Sequence, residues 1–119
     1  MEYKLKTDDV KRRFREYEVT GDISVQNIEP LVDEMKDCVA SCDELCINLV
    51  GITEFDTSAL QFFYAVKNSF VRDRKKLRVT CDLAPEVAQL LANCGVDDLA
   101  HVLTFGVERP TLRVNERNI

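Results

Sequence analysis

Residues 45–52 read LCINLVGI, a nearly continuous apolar run with acidic residues before it and Gly51 inside its end. Such a run is too short for a buried helix. It fits a strand covered on both faces, or at least central in a sheet. Its flanks sharpen this. Upstream, Ile28, Leu31, Val32, Met35, Val39 and Cys42 recur at steps of three and four. That is the stripe of an amphipathic helix. Downstream, Leu60, Phe63, Val66 and Phe70 mark a second stripe, widened by Phe62. A strand between two helices implies parallel crossovers.

The remaining segments extend the pattern. EYKLKT and FREYEVTGDI alternate apolar and polar residues and read as two initial strands. Phe14, Tyr17 and Val19 do not keep a perfect period of two, which suggests a bulge, and Gly21-Asp22 closes the segment with turn chemistry. The first helix is expected near Asn27, with Asn27 as its cap and Pro30 in its first turn, where the missing N–H has no partner to lose. KLRVTC reads as a strand and APEVAQLLANCG as a short helix stopped by Gly95. HVLTF reads as a last strand, and the polar segment GVERPTLRVNERNI as a loosely held tail. The expected organisation is one α/β domain: residues 1–13 a first strand and loop, 14–105 the core, 106–119 the tail.

Composition narrows the function. With 119 residues and 45% hydrophobic content the chain suits one core. A net charge of −5 argues against duplex nucleic acid, and VKRRFR and VRDRKKLR read as solvated charge. No apolar run is long enough for membrane insertion, and no secretory leader is visible, so a cytoplasmic protein is expected. The cysteines (Cys38, Cys42, Cys46, Cys81, Cys94) form no C-x-x-C pair, and His101 is the sole histidine. They read as small buried hydrophobes of a reducing compartment, with metal binding a poor second reading and a surface thiol as a further one, and no metal ligand is assigned. No phosphate-cradling glycine loop is present, and no cofactor is expected. An enzyme built on Glu54, Asp56 or a cysteine is the weakest reading.

The most pointed local feature is FDTSAL. A strand ends, a tight turn follows, and a helix begins with Thr57 or Ser58 at or beside its cap. Asp, Thr and Ser all cap well, since their oxygens accept otherwise unpaired N–H groups. A phosphoryl group there would be tolerated by the helix N-terminus, and its charge would fall on any partner.

With these pieces in order, the chain resembles the STAS domain family, of the bacterial anti-sigma factor antagonist type. VTGDIS followed by NIEPLVDEM resembles the family's strand, Gly-acid turn and first helix. LCINLVGITEFDTSALQFF resembles its central strand and Asp-Ser-Ser-Gly-Leu switch loop. APEVAQLLANCGVDDLAHVL resembles its later helix and turn. The resemblance implies a mixed sheet of about four to five strands with helices mainly on one face. It implies a binding module without catalysis, partnered by a serine kinase that is also the anti-sigma factor. Ser58 matches the phosphorylated hydroxyl, with Thr57 second; Asp56 matches the loop-shaping acid and Asp22 the acid of the partner-facing turn. The expected partner-binding set is Asp22, Glu54, Asp56, Thr57, Ser58 and Ala59. Ala59 replaces the family's usual glycine, and no final amphipathic helix is evident. The alternative is an unmodified STAS subunit of a lipid-transport ABC system, bound to its ATPase.

Overall fold

The computed structural model describes residues 1–107. Eight elements follow in order: β1 (Glu2–Asp9), β2 (Phe14–Ile23), α1 (Glu29–Ser41), β3 (Glu44–Phe55), α2 (Thr57–Arg72), β4 (Lys76–Leu83), α3 (Pro85–Asn93) and α4 (Leu99–Leu103). The sheet order is β1-β2-β3-β4. β1 runs antiparallel to β2, and β2, β3 and β4 are parallel. The alternation read from the sequence is therefore the architecture: an antiparallel entry followed by two βαβ crossovers.

The central strand differs from its expectation in one respect. Leu45, Ile47 and Leu49 are buried and lie in register with Tyr17, Val19, Leu77 and Val79 on the helix-covered face. The opposite face is not covered. Val50 is exposed there, and Thr7, Glu16, Asn48 and Thr80 are joined side chain to side chain across all four strands. Cys46, on the same face, is buried in register between Glu16 and Arg78. The run reads as two-faced because Cys46 and Val50 occupy positions on the open face that a period of two would give to polar residues. The bulges also sit elsewhere. Tyr17 and Val19 pair regularly, and register shifts occur at Leu5/Thr7 and around Gly21, whose φ is 92°.

Two further expectations are corrected. The first helix does not start on an Asn27 cap: its N-cap is Ile28, with no side-chain cap bond, and Pro30 lies in its first turn. Asn27 faces backwards instead. Its Nδ2 donates to the Asp22 carbonyl at 2.8 Å and its Oδ1 accepts from Ser24 N–H at 3.0 Å, so it ties the loop rather than the helix. The segment HVLTF is not a last strand. Leu99 and Leu103, one turn apart, are both buried, and Asp98 accepts the His101 N–H at 3.1 Å, which caps a short helix. Only the end of the segment is extended. Phe105 exchanges both backbone hydrogen bonds with Leu77, and the Thr104 hydroxyl takes the Val79 N–H. Part of the β4 edge is thus closed partly by a side chain, which removes pairing groups that another chain could use. Most of the expected C-terminal tail lies outside the described residues.

Helix ends offer an internal comparison. After α3, Gly95 (φ 87°) accompanies bonds from Gly95 N–H to Ala92 and from Val96 N–H to Leu91. After α2 the same pair of bonds forms from Arg74 to Val71 and from Lys75 to Phe70, but Arg74 holds φ 58°. Left-handed backbone suits glycine and strains other residues. Arg74→Gly is expected to raise stability by about 0.5–1 kcal/mol. A higher urea midpoint with unchanged slope checks this.

Candidate functional site

The candidate site stands where the parallel strands end. β2 and β3 finish side by side, with Asp22 opposite Glu54 and Ile23 opposite Phe55. Asp56 follows with extended backbone and is the N-cap of α2. One carboxylate oxygen accepts the Ala59 N–H at 2.9 Å, the capping bond. The other accepts the Val25 N–H at 3.0 Å. The Asp56 N–H reaches the Ile23 carbonyl at 3.3 Å. One residue therefore locks the loop after β2 to the loop after β3.

This arrangement sorts the expected residues. The cap is Asp56, so neither the Thr57 nor the Ser58 hydroxyl is needed for it. Thr57 is exposed and Ser58 half-exposed, at the first and second positions of α2. Ala59 is fully buried and lies outside the left-handed region. It anchors the turn from within the core, and its methyl offers no surface. Glu54 is exposed. The Asp22 carboxylate is half-exposed; it takes the Met1 ammonium at 3.2 Å and an Asn27 amide hydrogen, and the ammonium holds it below the usual carboxylate range.

Sequence reasoning read Asn27 only as a helix cap and missed that it braces Asp22; it also missed Val25, which is 65% exposed beside the Asp56 loop. The signal for Val25 is tertiary: only the parallel pairing of β2 and β3 brings it to Asp56. Also missed was the charge of this end. The stretches 21–29, 51–60 and 81–89 supply the rim at the ends of β2, β3 and β4. They carry Asp22, Glu29, Glu54, Asp56, Asp82 and Glu86 and no Lys or Arg.

Both Asp56 oxygens are occupied by N–H donors, and Glu54 faces solvent, so the two carboxylates do not form an acid–base pair. Burial pushes the Cys42 and Cys46 thiols up to about 11 and Cys81 to about 12. Thiols held that high are protonated at neutral pH and are poor nucleophiles. Among the described residues no helix is long and apolar enough to cross a membrane.

Asp56→Ala removes the acceptor for two N–H groups on two loops. It is expected to destabilise the domain by about 1–2 kcal/mol. Thermal denaturation measures the loss, and the Val25 amide resonance should shift with it. Asp56→Asn, which keeps one acceptor oxygen, should lose less.

Comparison with known proteins follows the same outline. The family model described as "Mlab, STAS domain" matches residues 16–104. No curated protein sequence matches the chain. Among solved structures, the anti-sigma factor antagonist SpoIIAA in its unphosphorylated form superposes with a TM-score of 0.60 at 12% identity, covering 81% of this chain and 83% of that one. The Bacillus cell fate determinant SpoIIAA in the phosphorylated form gives a TM-score of 0.56, also at 12% identity, over 80% and 85%. At this identity the likeness is one of fold.

Proposed function

The chain belongs to the STAS domain family, and from that premise we propose that it is a partner-switching regulatory module whose binding face is controlled by phosphorylation of Ser58. The partner is an ATP-binding serine kinase of the anti-sigma factor kind, met in the cytoplasm. The observation that carries this reading is the preformed loop itself: two hydroxyls that the helix cap does not need stand on a rigid turn held by Asp56. Asp22, Glu54, Thr57 and Ser58 supply the surface, and Asp56 and Ala59 its shape.

A phosphoryl group adds about −1.5 to −2 charges. The first-turn N–H groups of α2 are oriented to receive part of that charge. The loops around it hold no Lys or Arg to neutralise the rest. Modification then leaves the fold intact and changes what the face can bind. The test is incubation with the cognate kinase and ATP, followed by peptide mass spectrometry. Phosphate on Ser58 supports the reading; an unmodified Ser58 together with no kinase binding overturns it.

A second reading keeps the face and drops the switch. In it the chain is a constant STAS subunit of a lipid-transport ABC system, bound to its ATPase. The completeness of the loop favours it, since Asp56 and the buried Ala59 define the turn without any modification. Purification from the native cell separates the two: a transporter ATPase as the main companion decides for this second reading.

A further inference from the structure

We propose that the end of the domain opposite Ser58 is a docking face for an anionic lipid surface. The parallel strands begin there in register, with Phe14 beside Glu44 and Glu44 beside Lys76. The two basic stretches of the sequence, VKRRFR at 10–15 and VRDRKKLR at 71–78, are thereby brought to one place. Backbone bonds join the loops that carry them: the Asp43 N–H donates to the Arg13 carbonyl at 2.8 Å, and the Lys76 N–H to the Asp43 carbonyl at 3.0 Å. Arg15 and Lys75 are committed elsewhere, to Asp37 and to the Val39 carbonyl. Lys11, Arg12, Arg13, Arg72, Arg74 and Lys76 are exposed. Arg12 has Asp9 and Glu44 as neighbours, Arg13 has Asp43 and Arg72 has Asp73, all surface pairs of the kind that contribute little. Lys11, Arg74 and Lys76 have no ion-pair partner among the described residues.

Two features say that this charge does more than hold water. Arg13 has φ 54° and Arg74 φ 58°, and among the described residues no other non-glycine residue has positive φ. That backbone suits glycine and strains an arginine. Both strained positions lie at this end and both hold a cation, so the cation is kept at a cost to the fold. The second feature is apolar. Each basic stretch opens on an exposed valine: Val10 is 79% exposed and Val71 38%. The boundary of an anionic bilayer accepts both kinds of group, methyls into the headgroup layer and cations onto the phosphates. A nucleic-acid backbone would take the cations and leave the valines in water.

The other end of the sheet sets the orientation. The rim where the parallel strands finish carries six carboxylates, and its stretches hold no Lys or Arg. An anionic surface attracts one end of such a domain and repels the other. The domain therefore docks with its basic loops on the lipid and with Asp22 and Ser58 turned away from it. Docking depends on charge and on two valines, and not on whether Ser58 is modified.

The experiment is co-sedimentation of the full chain with phosphatidylcholine vesicles, with and without about 30% phosphatidylglycerol, over a range of salt. Binding is expected to the anionic vesicles alone and should fall as salt rises. The double variant Arg13→Gly/Arg74→Gly should bind them about 30-fold more weakly. Its urea midpoint should rise, since glycine relaxes both turns, so the lost binding is not a lost fold. Val10→Ser should weaken binding about threefold. Leu90→Ser, which removes an exposed leucine on α3, should change nothing. No binding to either vesicle, equal binding to both, or full binding by the double variant overturns the proposal. So does tighter binding to a short DNA duplex than to the anionic vesicles.

Discussion

Ser58→Asp is expected to lower affinity for the partner about 100-fold while leaving the domain folded. At an interface, an added charge that finds no counter-ion and must shed water costs about 2–3 kcal/mol, and 2.7 kcal/mol is a factor of about 100. The companion variant sharpens the result. Ser58→Ala should change stability by no more than about 0.5 kcal/mol, because the cap belongs to Asp56. It should bind the partner whether or not the kinase is active. Calorimetric titration of the three proteins reads the affinities, and circular dichroism reads the fold. Equal affinity for wild type and Ser58→Asp contradicts a phosphate-controlled face.

Phe63→Ala should have the largest effect on stability. Phe63 is 1% exposed, sits on α2 just after the Asp56 loop, and packs against Phe55 at 5.8 Å and Phe62 at 5.1 Å between ring centroids. Truncating such a ring removes its apolar burial and leaves a cavity that the fold refills only in part. A loss of about 3–5 kcal/mol is expected. Phe55 is the last residue of β3 and Asp56 follows it, so the loop should loosen as well. Urea denaturation measures the first effect. Faster exchange of the Ala59 amide hydrogen, bonded to Asp56 in the native loop, reports the second.

The parts of the fold legible in the sequence were those written in periodicity. Ile28, Leu31, Met35 and Cys42 of the first stripe and Phe63, Val66 and Phe70 of the second are buried as their spacing requires, while Val32, Val39 and Leu60 are half-buried. Gly95 ends its helix as expected. The errors arose where local chemistry supports more than one partner. Asn27 is a good cap, yet its amide serves Asp22 and Ser24, which approach it through the turn. Leu103 and Phe105 alternate like a strand, but Asp98 caps a turn and Leu99 and Leu103 reach the core one helical turn apart. The open face of β3 was hidden because Cys46 and Val50 are apolar by type.

At the site, residue types were readable and their division of labour was not. Asp56, Thr57 and Ser58 all qualify as caps on sequence. Only the backbone assigns the cap to Asp56 and so leaves both hydroxyls free of that duty. The tie from Asp56 to Val25 spans 31 positions and depends on the parallel pairing of β2 with β3. The acidic rim likewise comes from three separate stretches that meet only because their strands run the same way.

The most direct measurement is site-specific photocross-linking in the native cell, with the reactive amino acid placed at Thr57 in one sample and at Lys76, at the opposite end of the sheet, in another. The account predicts that the Thr57 probe captures an ATP-binding protein, that Ser58→Asp abolishes the capture, and that the Lys76 probe captures nothing comparable. Capture from Lys76 alone, or a Thr57 cross-link indifferent to Ser58→Asp, would contradict it.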